Sequence, residues 1–297
     1  MASVARSAKK VSPLFSVQKK LRSLKIRPTK RRGQHFVIDP GVIRRMLAAA
    51  SLEPKDVVLE IGAGMGSLTF PLAEHVERVY AVEIDPRLAR VLQEEKGDNP
   101  RIDVIQGDAL TLDIPSLAEK WDRKLKVVAN LPYEISSPMI FRLFEFRKYF
   151  SLWVLMFQRE VAERIVASPG RKDYGPLSIW TRLYTHAQIL FRVPPGAFSP
   201  RPKVDSAVVK MVVLDPPFIP LKNKELLERV VRSAFSYRRK MIANALKLGD
   251  FHHLPMERII RILTSSGIDP HLRGEKLTLE QFCSLCEAID SNGSLRS

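Results

Sequence analysis

The chain has 297 residues, enough for one large domain or a large and a small one, and at 45% hydrophobic residues it can bury a substantial core. It carries a net charge of +16 and only two cysteines, Cys283 and Cys286, which excludes a disulfide framework and points to a polyanionic partner. No apolar run is long enough to span a bilayer and no signal-peptide core stands near the start, so a cytoplasmic protein with no membrane role is expected.

Residues 1–32 hold eleven Lys or Arg and no acid, which leaves +5 for the rest of the chain. They are expected to form a basic, partly disordered arm, with Lys30, Arg31 and Arg32 at its end. Nucleic acid is the favoured partner, because basic residues recur beyond the arm, and binding should weaken steeply with salt. An organelle transit peptide and a solvated tail are the other readings. Residues 14–26 alternate apolar and basic residues at helical spacing up to Pro28. Asp39 can cap, and Pro40 open, a helix running to about Ala50. His35, a lone histidine, reads as structural on its own.

Val57 to Ile61 is a run of β-branched and apolar residues, as in a buried parallel strand. Glu60 lies within it, and Gly62, Gly64 and Gly66 follow at alternate positions before an apolar, helix-compatible segment. A strand turning through glycines into a helix brings bare backbone and N–H groups close to a ligand. The spacing is G-x-G-x-G after an acid, not the G-x-G-x-x-G of dinucleotide folds, which argues against a nicotinamide dehydrogenase. Glu83 closes the next apolar run, about twenty positions on, where an acid can accept hydrogen bonds from ribose hydroxyls. Asp108 closes a third run, from Ile102. Taken singly, Glu83 and Asp108 read as solvated strand ends or caps; at successive strand ends with the glycines they form a ligand crevice. No Lys or Arg lies in the loop, so the ligand reads as a nucleoside with little or no phosphate.

Residues 57–129 follow a βαβ rhythm: strands at 57–61, 78–83, 102–106 and 125–129, helices at 67–75 and 86–96, a doubly wound α/β sheet. The fourth strand ends in Asn130-Leu131-Pro132-Tyr133, at the same sheet edge as the glycines. An exocyclic amine on a base is a poor nucleophile, because its lone pair is delocalised into the ring. Acceptors for both N–H protons favour a pyramidal nitrogen and stabilise the charge that develops on it. The Asn130 side-chain oxygen and the Leu131 carbonyl can be those acceptors. Pro132 stiffens the turn and cannot donate in competition, and Tyr133 offers a face for stacking.

Helices are expected over 136–147, 158–167 and 177–185, with strands at 152–157, about 188–193 and 207–214, the last closing the sheet. The proline-held loop between the last two carries Phe198 beside Arg201 and Lys203. Two readings stand: an aromatic for stacking flanked by cations for phosphate, or a Phe pinning the loop to the core. Pro216 to Pro220 marks the domain boundary. The remainder reads as helices at 222–236, 238–247, 255–265 and 278–290. Arg238-Arg239-Lys240 either touches phosphate or forms a solvated helix face. Cys283 and Cys286 lie one turn apart on an apolar face and read as core thiols, not metal ligands.

In order along the chain, Gly33-Gln34-His35-Phe36, the Glu60–Gly66 loop, Glu83, Gly107-Asp108-Ala109, Asn130 to Tyr133, Phe198-x-Pro-x-Pro-Lys203-Val204-Asp205-Ser206 and Arg238-Arg239-Lys240 resemble the rRNA small-subunit adenine N6-dimethyltransferases, the KsgA type in bacteria. The resemblance spans about residues 14–290. It implies a Rossmann-like class I methyltransferase sheet over 33–215, a small all-helical C-terminal domain over 216–297, and S-adenosylmethionine as cofactor. It also implies two adjacent adenosines near the 3′ end of small-subunit rRNA, in a pre-ribosomal subunit, as substrate, for a protein expected to be a monomer. Carried over residue by residue, His35, Val37, Gly62, Glu83, Asp108 and Asn130 would line the cofactor site, with Glu60, Gly64 and Gly66 in the same loop. Asn130, Leu131, Pro132 and Tyr133 would hold the target base, with Phe198 on its other face. Val37 stands where the family often has Leu, and residues 1–13 extend beyond the usual start. The alternatives are a large-subunit rRNA adenine methyltransferase of the macrolide-resistance type and a non-catalytic RNA-binding assembly factor.

Overall fold

The computed structural model describes residues 34–291. The basic arm, with Lys30, Arg31 and Arg32, lies outside the described residues. In chain order the elements are β1 (Phe36–Val37), α1 (Pro40–Ala50), β2 (Val57–Ile61), α2 (Thr69–Ala73), β3 (Arg78–Glu83), α3 (Pro86–Lys96), β4 (Ile102–Gln106), α4 (Ile114–Ala118), β5 (Leu125–Asn130), α5 (Ser136–Glu145) and β6 (Phe150–Gln158). There follow α6 (Arg159–Ile165), α7 (Pro176–Tyr184), β7 (Thr185–Val193), β8 (Phe198–Ser199), β9 (Ser206–Val213), α8 (Lys224–Ser236), α9 (Ile242–Leu248), α10 (Met256–Ser265) and α11 (Leu279–Ser291).

A seven-stranded sheet has the order β4-β3-β2-β5-β6-β9-β7, and β1 pairs with β8 in a separate two-stranded ribbon. β2 pairs in parallel with β3 and with β5, β3 with β4, and β5 with β6. Every residue of β2 is buried, the outcome expected of a continuous apolar run covered on both faces. The strand at 206–213 does not close the sheet: it inserts between β6 and β7, which leaves β7 at the edge.

Aspartates start three of the helices of this half. The Asp39 carboxylate accepts the Gly41 N–H at 2.7 Å ahead of Pro40. Asp85 accepts the Arg87 N–H at 3.1 Å ahead of Pro86. Asp113 does the same, at the Ser116 N–H, for the short α4, a helix not expected from the sequence. Each cap is worth about 1 kcal/mol, and proline costs nothing at a position whose N–H has no helical partner.

The chain divides into two compact units, and the division is not a single cut at Pro216–Pro220. Of the described residues, one unit comprises those up to Arg159 with Leu190–Lys210; the other comprises Glu160–Ile189 with those from Met211 on. In the second unit Tyr174 donates from its hydroxyl to the Leu277 carbonyl at 2.9 Å. Phe235 contacts both Tyr174 and Phe282, with ring centroids 6.0 and 6.2 Å away. These bonds hold residues 160–189 to the C-terminal helices, which is why the unit begins earlier than the proline run suggests. Cys283 and Cys286 are buried in α11, and burial raises both thiols, Cys283 to about 11. Among the described residues no helix is long and apolar enough to cross a membrane.

Candidate active site

Parallel pairing brings three strand ends to one edge. Ile61 lies opposite Val82, and Leu59 opposite Val127. Continuing each register brings Gly62 level with Glu83 and with Asn130. There the first unit holds a cavity of about 230 Å³. His35, Gly62, Gly64, Glu83, Asp108 and Asn130 line it, as do Leu131, Pro132 and Tyr133.

The glycine loop follows the edge because its backbone has no other choice. Gly62, Gly64 and Gly66 have φ of 73°, 59° and 82°, in the left-handed region that costs an L-residue about 1–2 kcal/mol. At Gly62 a Cβ would also lie 3.0 Å from the Pro132 ring, so the loop and the Asn130 turn fit only without one. Gly64 donates its N–H to Glu83 Oε2 at 2.8 Å, and Asp85 donates to Glu83 Oε1 at 2.8 Å. Two backbone donors therefore fix the Glu83 carboxylate at the cavity wall. A carboxylate oxygen can accept more than one hydrogen bond, which suits a ligand hydroxyl. Asp108 Oδ1 accepts the Leu110 N–H at 2.9 Å, which fixes that carboxylate in the same way.

Asn130 is held by its amide nitrogen. Nδ2 donates to the His35 carbonyl at 2.8 Å. A carbonyl can only accept, so this bond assigns the nitrogen to that side and the oxygen to the other. Oδ1 is then buried with no hydrogen-bond partner among the described residues. A buried acceptor without a donor costs about 1–3 kcal/mol, a cost that a bound amine N–H removes. Tyr133 O–H lies 2.6 Å from Ser206 Oγ, and its ring centroid lies 5.3 Å from that of His35. Burial raises the phenol above the usual tyrosine value, so the hydroxyl stays neutral. His35 Nδ1 lies 2.8 Å from the Pro200 carbonyl, an acceptor, so that nitrogen carries the proton.

The model of ribosomal RNA adenine dimethylases matches residues 26–291 of the chain. The chain belongs to the ribosomal RNA adenine dimethylase family. It is 42% identical over 269 residues to the ribosomal RNA small subunit methyltransferase A of Geobacter metallireducens, covering 90% of this chain and 98% of that one. It is 42% identical over 258 residues to the protein of that name from Clostridium perfringens, covering 87% of this chain and 89% of the other. Among solved structures it resembles a dimethyladenosine transferase from Plasmodium falciparum, with a TM-score of 0.76, 28% identity and coverage of 87% and 98%. It also resembles the 23S rRNA methyltransferase ErmE, with a TM-score of 0.66, 28% identity and coverage of 86% and 99%. An S-adenosylmethionine-dependent rRNA adenine dimethyltransferase is thus the enzyme class of this chain.

Against the family pattern, five residues do not stand where the sequence assigns them. Val37 is buried in the core, 3% exposed, and lies opposite Phe198 in the β1–β8 ribbon. Phe198 is 1% exposed and packs in the same core, so it offers no face to a base; of its two readings, the loop pin holds. Gly66 does not line the cavity: it packs where a Cβ would lie 2.3 Å from the Phe70 ring. Glu60 is 2% exposed and accepts from Thr69 Oγ1 at 2.6 Å, tying β2 to the start of α2 beneath the loop rather than reaching a ligand. Arg238, in the second unit, is bound to the Glu275 carboxylate at 2.7 Å and to the Lys172 carbonyl, a structural engagement and not a free cation. Arg201, Lys203, Arg239 and Lys240 are exposed.

Several cavity residues have no place in the sequence assignment, Ile84 and Glu134 among them. Ile84, half exposed, and Glu134 both line the wall. The signal for Ile84 was its position directly after Glu83 at the sheet edge; Glu134 required the Tyr133–Ile135 turn to be seen. Among the described residues no Lys or Arg lines the cavity.

Proposed function

We propose that this dimethyltransferase moves methyl groups from S-adenosylmethionine to N6 of two adjacent adenosines near the 3′ end of small-subunit rRNA, during assembly of that subunit. The observation that carries the reading is the buried Asn130 Oδ1, without a hydrogen-bond partner among the described residues, in a cavity shared with Gly62 and Glu83. The names of relatives more than 40% identical support the choice of subunit.

The cavity suits this cofactor. Glu83 accepts from the ribose hydroxyls, and Asp108 from the adenine amine. Gly62 and Gly64 leave room along the backbone. When bound, S-adenosylmethionine supplies an electrophilic methyl group. The chain's own work is to align and polarise the acceptor. Extruding an adenosine from a hairpin costs a few kcal/mol, and Tyr133 offsets part of this by stacking, worth about 1–3 kcal/mol per base. Asn130 Oδ1 and the Leu131 carbonyl accept the two N6 protons, which draws the lone pair out of the ring and stabilises the charge that forms on nitrogen. Holding the reacting atoms in line supplies much of the remaining acceleration. The nitrogen loses its proton readily once alkylated, so a strong base is not required.

RNA contact is assigned to Arg201, Lys203, Arg239 and Lys240 with the arm cations Lys30, Arg31 and Arg32. The test is to incubate the protein with methyl-labelled S-adenosylmethionine and unmodified ribosomal subunits, then map the modified bases. The expected product is N6,N6-dimethyladenosine at two neighbouring positions of small-subunit rRNA. Label confined to large-subunit rRNA would contradict the reading, and would favour an activity like that of the 23S rRNA methyltransferase ErmE.

A further inference from the structure

We propose that Ser206 is a positioning residue for methyl transfer, holding the Tyr133 hydroxyl so that the ring presents one fixed face to the target base. The inference rests on the reading that Tyr133 holds that base. Ser206 is fully buried, at the first position of β9, and its Oγ lies 2.6 Å from Tyr133 O–H. Tyr133 stands on a single turn of 3-10 helix, Tyr133–Ile135, which has no side-chain cap. So short an element does not fix the direction of a long side chain by itself; the ring needs ties from outside.

It has two. One is the bond to Ser206, and the other is the His35 ring, itself held by the Pro200 carbonyl at 2.8 Å. Both ties run to the segment from Phe198 to Ser206. That segment is anchored at one end by the β1–β8 pairing and by the Ile38 N–H on the Ala197 carbonyl at 2.9 Å. At the other end the Arg159 N–H donates to the Asp205 carbonyl at 2.9 Å. Arg201 and Lys203, both exposed, lie between the anchors. The stretch that offers cations to phosphate therefore also sets the tyrosine ring at the cavity.

This arrangement matters for rate more than for affinity. A loose ring still stacks on a base, but it lets the base sit at varying depth. A displacement of about 1 Å can cost on the order of 100-fold in rate. Phe198, packed into the core, cannot limit that movement from the other side, so the setting of the Tyr133 ring decides it.

The experiment is a double-mutant cycle on Ser206→Ala and Tyr133→Phe, with Tyr133→Ala beside it. For each variant kcat on unmodified small subunits is measured, and the S-adenosylmethionine Kd is measured by calorimetry. Each single variant is expected to lower kcat by about 10-fold, and the pair by no more than either alone, since both remove the same bond. The cofactor Kd is expected to stay at the wild-type value throughout. A double variant that loses about 100-fold, the product of two independent effects, overturns the positioning role. So does wild-type kcat in Ser206→Ala, or in Tyr133→Phe, which removes the bond without touching the buried position. Wild-type kcat in Tyr133→Ala overturns instead the reading that Tyr133 holds the base.

Discussion

Glu60 and Glu83 stand within one strand of each other and have opposite tasks. Glu83 receives two backbone N–H groups and faces the cavity. Glu60 has lost its water and has one hydroxyl partner; burial, with a smaller push from Glu83 and an opposing pull from Thr69, raises it to about 8. A carboxyl raised in the fold binds more protons than it does in the unfolded chain between its ordinary value of 4.5 and about 8. Its contribution to stability is therefore full below the ordinary value and declines as pH rises toward the folded one. Glu60→Gln keeps an acceptor for Thr69 without the titration. The variant is expected to match wild-type Tm near pH 5 and to exceed it near pH 8; parallel Tm profiles across that range would contradict a neutral Glu60. Both acids were visible in the sequence, but not which of them faced a ligand. That distinction depends on which side of β2 and β3 each carboxylate leaves the sheet, and in strands buried on both faces the hydrophobic pattern does not report it.

At the level of elements, the glycine loop is held from both sides. Gly62 is pressed by the Pro132 ring and Gly66 by Phe70 and Leu92. Gly66→Ala places a methyl group 2.3 Å from the Phe70 ring and 2.8 Å from Leu92 Cδ1, at a φ of 82°. The backbone conformation alone costs about 1–2 kcal/mol and overpacking about 1–3 kcal/mol more. Denaturant unfolding should show a loss of at least ~2 kcal/mol with an unchanged m-value. A variant as stable as wild type would mean that Gly66 is not a packing position. Apart from β1 and α4, strands and helices up to Asn130 were legible because each carries its own signal: apolar runs for buried strands, Asp-Pro pairs for helix starts. The β1–β8 ribbon was not, since it joins two dipeptides more than 160 residues apart and no local pattern encodes such a pairing. That miss explains two of the residues the ribbon buries, Val37 and Phe198. The insertion of β9 between β6 and β7 is likewise a matter of topology, invisible to periodicity.

Across the whole molecule, charge and family agree on a nucleic-acid substrate. The excess of +16 lies mainly in residues 1–32, and among the described residues no Lys or Arg lines the cavity wall. Binding strength is thus assigned to side chains away from the chemistry, and alignment to the sheet edge. The ordered motifs made the family readable from the sequence, whereas the split into two units depended on Tyr174 and Phe235, whose partners lie far along the chain. The account turns on the oxygen of Asn130 acting on the acceptor nitrogen and not on the cofactor's affinity. The most direct measurement is the N6,N6-dimethyladenosine formed on unmodified small subunits by wild type and by Asn130→Ala, with cofactor and subunit both at saturation. The account predicts a loss of at least ~100-fold in the variant, the size seen when a preorganised transition-state hydrogen bond is removed, with both ligands still bound. Dimethylation at the wild-type rate by Asn130→Ala would contradict it.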